Sequence, residues 1–352
     1  MTTLHRKACL LAVLLLGCSS GETASSTGPA PSGSSRTALP PASGASARPP
    51  PSAAPSASAV ASAPPAFPPP ALKPLIPEVA APGDGEWAEM KIDGVSPAIV
   101  VRTALHPRKD NKGAVVHIVA FDFTKVELGL LPGTKEPVSP SVPFKDRPGL
   151  ITTDQVKRLV AFTNGGWLSA HQGHGMRVGE FNFVAPQDRF CTLALTDTGQ
   201  IRIGTWSRIK GDDAHFVWLR QNVPCLIEDG EKNPKIGTFE RHMWGASMDG
   251  EKDIRRSAYA ISKDGKVLFF AIGHLVDQEA LANALAAADV QGACQMDINY
   301  AFTKFMFFDH VNEKGPVGSA PLMKDMTIAP FEGWSPGAGA VRDIFYLLRR
   351  PG

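Results

Sequence analysis

Apolar and polar positions along this chain alternate mostly with a period of two, which predicts strands with few helices. The run 114–123 (Ala-Val-Val-His-Ile-Val-Ala-Phe-Asp-Phe) is β-rich, and Val126–Leu131 is expected to pair with it across a short turn. Residues 191–195 and 200–203 form a hairpin pattern around Asp197-Thr198-Gly199. The runs 217–223 and 225–227 are short strands that lead into a turn at Glu228-Asp229-Gly230. A second hairpin joins 257–261 to 267–272 through Lys263-Asp264-Gly265. Two stretches break the strand pattern. Thr153 or Asp154 caps an expected short helix running to Val160, and Asp277 caps another whose Leu281 and Leu285 face inward. The fold class these signals predict is α+β, with a mixed β-sheet core and few helices in a single large domain.

Candidate chemistry sits where apolar strands end in polar residues. The run Val160-Ala161-Phe162-Thr163 ends in Asn164, followed by Gly165, Gly166 and Trp167. Glycine tolerates conformations that bring backbone amides close to a ligand, so Asn164, Gly165 and Gly166 are candidate contacts. The strand 293–298 is expected to place Cys294, Met296 and Ile298 on one face and Gln295, Asp297 and Asn299 on the other. A strand ending in polar residues is a common way to build a cleft. His171 and His174 lie three apart and could hold a metal only if a third ligand converged on them, so neither a metal nor a cofactor is expected.

The ends of the chain add a location. His5, Arg6 and Lys7 precede the apolar run Ala8 to Leu16, which is too short to span a bilayer, and Leu15-Leu16-Gly17-Cys18 resembles a bacterial lipobox. Residues 1–17 are therefore expected to be a lipoprotein signal peptide, with Cys18 lipidated. Ser19 after it favours the outer membrane of the cell envelope. Residues 18–84 are mostly Ala, Pro, Ser and Gly and are expected to form a disordered tether, whose reach approaches ~200 Å when extended. Residues 85–352 form the expected folded domain. The formal net charge is +2, with no basic stripe of interleaved aromatics, so nucleic acid is not an expected partner and membrane contact is through the lipid alone. Cys191, Cys225 and Cys294 allow one disulfide and one free thiol. Which two pair stays open, with Cys191–Cys225 the first choice.

Four segments, taken in order, resemble the phosphodiester glycosidase family. They are Val115 to Asp122; Phe162-Thr163-Asn164-Gly165-Gly166-Trp167 with Gly175-Met176-Arg177-Val178; Gln221-Asn222-Val223-Pro224-Cys225-Leu226-Ile227-Glu228-Asp229-Gly230; and Arg256-Ser257-Ala258-Tyr259-Ala260-Ile261-Ser262-Lys263-Asp264-Gly265, continuing to Met296-Asp297. The resemblance spans about 110–345 and implies hydrolysis of a sugar-1-phosphodiester or a related glycan linkage, with a glycan or sugar phosphate as partner. Asp297 would stabilise an oxocarbenium-like centre or activate water. Arg256 would hold phosphate oxygens with its planar donors, and Asn164 would bond a sugar hydroxyl. Gly165, Gly166, Trp167, Arg177, Asp229 and Asn299 would complete the substrate contacts. One departure stands out. The family follows its acid with glycines, Leu-Asp-Gly-Gly-Gly-Ser, whereas this chain reads Met296-Asp297-Ile298-Asn299-Tyr300-Ala301. Three side chains stand where backbone amides would approach a phosphate. The function expected is a lipid-anchored envelope hydrolase, which requires Asn164, Arg256 and Asp297 to line one cleft; the alternative is a glycan- or phosphoglycan-binding lipoprotein on the same fold that does not cleave.

Overall fold

A computed structural model of the chain describes residues 67–147, 151–312, 315–318, 321–323, 326 and 341–351. The expected signal peptide, Cys18 and the tether up to residue 66 lie outside the described residues. The fold begins earlier than the expected boundary at Gly85. The Leu72 N–H donates to Gly85 O at 2.9 Å, Leu72 is buried, and Phe67 and Leu75 pack on the same cluster. A few apolar side chains are enough to hold this Pro-rich segment, because a ready-made sheet face receives them.

The principal strands are β1 (Val100–Leu105), β2 (Val115–Asp122), β3 (Val126–Leu131), β4 (Leu159–Asn164), β5 (Cys191–Thr196), β6 (Ile201–Thr205), β7 (Phe216–Asn222), β8 (Ile254–Ser262), β9 (Val267–Val276), β10 (Val290–Gln295), β11 (Phe305–Asn312) and β12 (Ile344–Arg349). They form three sheets. The largest runs from the short strand Ala88–Glu89 through β1, β2, β9, β8 and β10 to Ile227–Glu228 and Glu231–Lys232. The second contains Phe181–Val184, Met176–Val178, β7, β5 and β6, and the third Gly315–Gly318, β11, β4, β12 and β3. Every ladder among the described residues is antiparallel. The α+β class with few helices is the one expected, while the ladders are antiparallel where a mixed sheet was expected.

The eight-stranded sheet is buried on both faces. Alternation sends Val119, Phe121, Phe270 and Cys294 into a core shared with Leu193 and Trp218 of the second sheet and Phe345 and Leu347 of the third. Ile118, Ala120, Ala258 and Phe269 face the opposite way, under the helix Gln278–Ala286. Asp277 caps that helix, its carboxylate accepting from Ala280 N at 2.9 Å, and Leu281 and Leu285 are fully buried. The helix carries the chain over β8, so β10 pairs with β8 and not with β9. Cys191 and Cys225 form a disulfide, and Cys294 is a buried free thiol.

Three local expectations are corrected. β2 and β3 do not pair. The Asp122 carboxylate accepts from Thr124 N at 3.0 Å and turns the chain out of the first sheet, and β3 then pairs with β12 near the chain end. The helix before β4 is only Thr153–Val156. Its cap is Thr152, which shares a capping box with Gln155, and β4 begins at Leu159. β10 ends at Gln295, so strand alternation stops before Ile298, which turns to meet Gly245 instead of joining the Cys294 and Met296 face.

Candidate functional site

The ends of β4, β8 and β10 meet at one place. Met296 N donates to Ser257 O at 2.8 Å, and Asp297 N donates to Gly165 O at 3.3 Å. Beside this junction opens a cleft of about 1060 Å³, whose lining includes Trp167, Arg241, Arg255, Asp297, Tyr300 and Arg342. The volume is at the upper edge of the range for ligand sites.

Asp297 lies at the cleft, 6% exposed. Its Oδ2 accepts from Arg342 Nη2 at 2.6 Å and its Oδ1 from Asn299 N at 3.1 Å. Burial pushes this carboxyl above the ordinary carboxylate range, Arg342 pulls it back, and Asp343 pushes it up again, with a net rise. Asn299 also lines the cleft, but its side-chain oxygen accepts from Ala301 N at 3.0 Å and closes the turn after Asp297.

Arg256 does not line the cleft. Its buried guanidinium donates to the backbone carbonyls of Val276 (3.1 Å), Trp244 (2.6 Å), Gly245 (2.9 Å) and Lys252 (2.9 Å), and to Gln295 Oε1 (3.1 Å). Burial lowers its pKa to about 10, so it stays charged at neutral pH. Arg256 thus builds the wall formed by 244–252. Arg255, on the opposite face of the strand, is the arginine that lines the cleft, its guanidinium 3.9 Å from the Tyr300 ring centroid. Asn164 is also in the framework. Its side-chain amide donates to Gly165 O and Ser257 Oγ, each at 3.0 Å, and accepts from Lys304 N at 3.2 Å. With three bonds made inside the protein, it pins the strand ends together.

Gly165 and Gly166 are needed for internal packing. A Cβ at Gly165 would lie 2.2 Å from Asp343 O, and one at Gly166 would lie 2.6 Å from Asn222 Oδ1. The Gly166 N–H is taken by Asp343 Oδ2 at 2.8 Å. Trp167 lines the cleft with its ring edge against Gly245, where any Cβ would lie 2.2 Å from the indole. Its Nε1 is buried with no hydrogen-bond partner among the described residues. Arg177 and Asp229 lie elsewhere. Arg177 pairs with Asp213 at 2.7 Å. Asp229 occupies a turn at φ 53° and pairs with Arg208 at 2.5 Å. Among the described residues, no three His, Cys, Asp or Glu side chains converge on a metal position.

Sequence reasoning missed three residues. Arg220 and Asp343 form a fully buried ion pair at 2.9 Å, and Arg220 also donates to Trp167 O at 2.5 Å. This pair fixes the Gly-Gly-Trp turn and aims Arg342, the neighbour of Asp343, at Asp297. The signal was a charged residue inside the apolar run of β7 and another just before the apolar run of β12, 123 positions apart. A single sequence offers no rule that pairs them.

No protein-family model matches the sequence, and none of the curated proteins is similar to it. Among solved structures, the chain is similar to the catalytic domain of zebrafish N-acetylglucosamine-1-phosphodiester α-N-acetylglucosaminidase, auto-inhibited by its pro-peptide. The identity is 15%, the match covers 75% of this chain and 88% of that one, and the TM-score is 0.43. It is also similar to a hypothetical protein from Synechocystis, at 10% identity over 71% of this chain and 62% of that one, with a TM-score of 0.41. Both are weak likenesses at the level of the fold.

Proposed function

We propose that this chain is a lipid-anchored envelope protein whose folded domain holds a glycan in the cleft without cleaving it. The observation that carries this reading is the state of Asp297. Both of its carboxylate oxygens are engaged, one by Arg342 and one by the Asn299 N–H. Arg256 and Asn164, which hydrolysis would need beside it, make their hydrogen bonds to the framework. The half-exposed Tyr300 supplies a flat ring for a sugar face, Trp167 lies buried in the cleft wall against Gly245, and the arginines around them supply donors for hydroxyl and anionic groups. Cys18 and the Pro-rich segment after it support the anchor.

Titration of the purified protein with a panel of neutral and acidic glycans, followed by intrinsic fluorescence, tests this reading. A binder is expected, and Tyr300→Ala should weaken it by about tenfold or more. Failure of every glycan to bind the folded protein would overturn the reading. One observation favours the hydrolase as a second reading: Asp297 does face the cleft, and its carboxyl is pushed upward, a property useful in a general acid. Release of free sugar would decide for it.

A further inference from the structure

Two oppositely charged side chains meet at the cleft and both belong to its lining. Arg342 donates from Nη2 to Asp297 Oδ2 at 2.6 Å and to Gly166 O at 3.3 Å, with the two charged side chains 12% and 9% exposed. The Arg342 guanidinium lies 4.7 Å from the Phe302 ring centroid, and its Nε is buried with no hydrogen-bond partner among the described residues. A guanidinium held over a ring at the cleft wall, with Nη2 already on a carboxylate, is suited to receive an oxyanion. The Asp297 carboxylate occupies the place that a ligand oxyanion would take.

We infer that the cleft selects glycans carrying an oxyanion, which displaces Asp297 from Arg342 while Asp297 takes up a proton. This inference rests on the glycan-binding reading above. The exchange balances: one anion replaces another on Arg342, and the proton neutralises the carboxylate left behind. A buried carboxylate stripped of its cation is costly, and protonation relieves that cost. Burial and the nearby Asp343 already push this carboxyl up, and Arg342 is the main influence opposing them. Asp343 cannot take Arg342 over, because it is bound to Arg220 at 2.9 Å. The other charged groups of the cleft are His171, Arg241, His242, Asp249, Glu251, Asp253, Arg255 and His274, of which Asp253 is held by Arg108 at 2.5 Å. Three of these are histidines, so the test separates them from Asp297.

The test is calorimetric titration with glucuronate, glucose 6-sulfate and glucose, between about pH 5 and 8, in buffers of different ionisation enthalpy. Neither charged sugar titrates in that range. The charged sugars should bind about tenfold or more tighter than glucose, with up to about one proton taken up and affinity falling as pH rises. Asp297→Asn should bind them more tightly at pH 7 and lose the proton uptake. Arg342→Gln should lose the preference for charge, and Arg342→Lys should restore part of it. The ratio between the sulfate and the carboxylate sugar identifies which oxyanion fits better. Equal binding of glucose would overturn the exchange and leave glycan binding standing, whereas no binding of any sugar would overturn both. Proton uptake that persists in Asp297→Asn would also overturn the exchange.

Discussion

Arg256 and Asp297 illustrate, at the scale of single residues, how far the role of a charge depends on what surrounds it. Strand alternation correctly separates Arg255 from Arg256, but nothing in a strand pattern says which face meets the cleft. The carbonyls that claim Arg256 belong to a loop and to β9, up to 20 positions away. Replacing Arg256 by Met leaves buried carbonyls without donors and should cost about 3 kcal/mol or more in urea unfolding. Arg256→Lys should rescue little of that, because one ammonium cannot reach four carbonyls in a planar arrangement. Acid sensitivity also belongs to this scale. Burial is the main reason that His117 and His174 are lowered to about 4. Between their unfolded value near 6.5 and about 4, the unfolded chain binds more protons, so stability is full above about pH 6.5 and is lost as pH falls toward 4. Denaturation midpoints measured from pH 7 to 4 should fall, and the fall should be shallower in a His117→Gln, His174→Gln double variant.

Elements were legible where their signals are local. The hairpin of β8 and β9 and the helix capped by Asp277 stand close to their expected positions, because turn residues and caps act within a few positions. The pairing of β3 was not legible. Its partner β12 lies more than 200 positions away, and a short turn after β2 looks the same whether the next strand returns or leaves. Asp277→Ala should cost about 1 kcal/mol through loss of the cap, measurable by chemical denaturation. The Cys191–Cys225 disulfide closes a separation of 34 residues, and Cys191→Ala with Cys225→Ala should destabilise the domain by about 4 kcal/mol in the chain-entropy view.

At the scale of the whole molecule, the eight-stranded sheet is a shared wall. One face builds a core with the two smaller sheets, and the other carries the helix and the segment that begins at Phe67. That segment was unreadable as structure, because its composition is mostly that of a tether, and Phe67, Leu72 and Leu75 are the side chains that anchor it. The cleft was half legible: the strand ends that carry Asp297 and Trp167 were expected, whereas Arg342 and its support from the Arg220–Asp343 pair came from the distant end of the chain. The most direct test of the central claim is to incubate the protein and its Asp297→Ala variant with a panel of sugar-1-phosphodiesters and to measure both binding and free sugar. Binding without release of sugar by either protein is the predicted result. Release by the native protein that Asp297→Ala abolishes would contradict it and establish a working glycosidase.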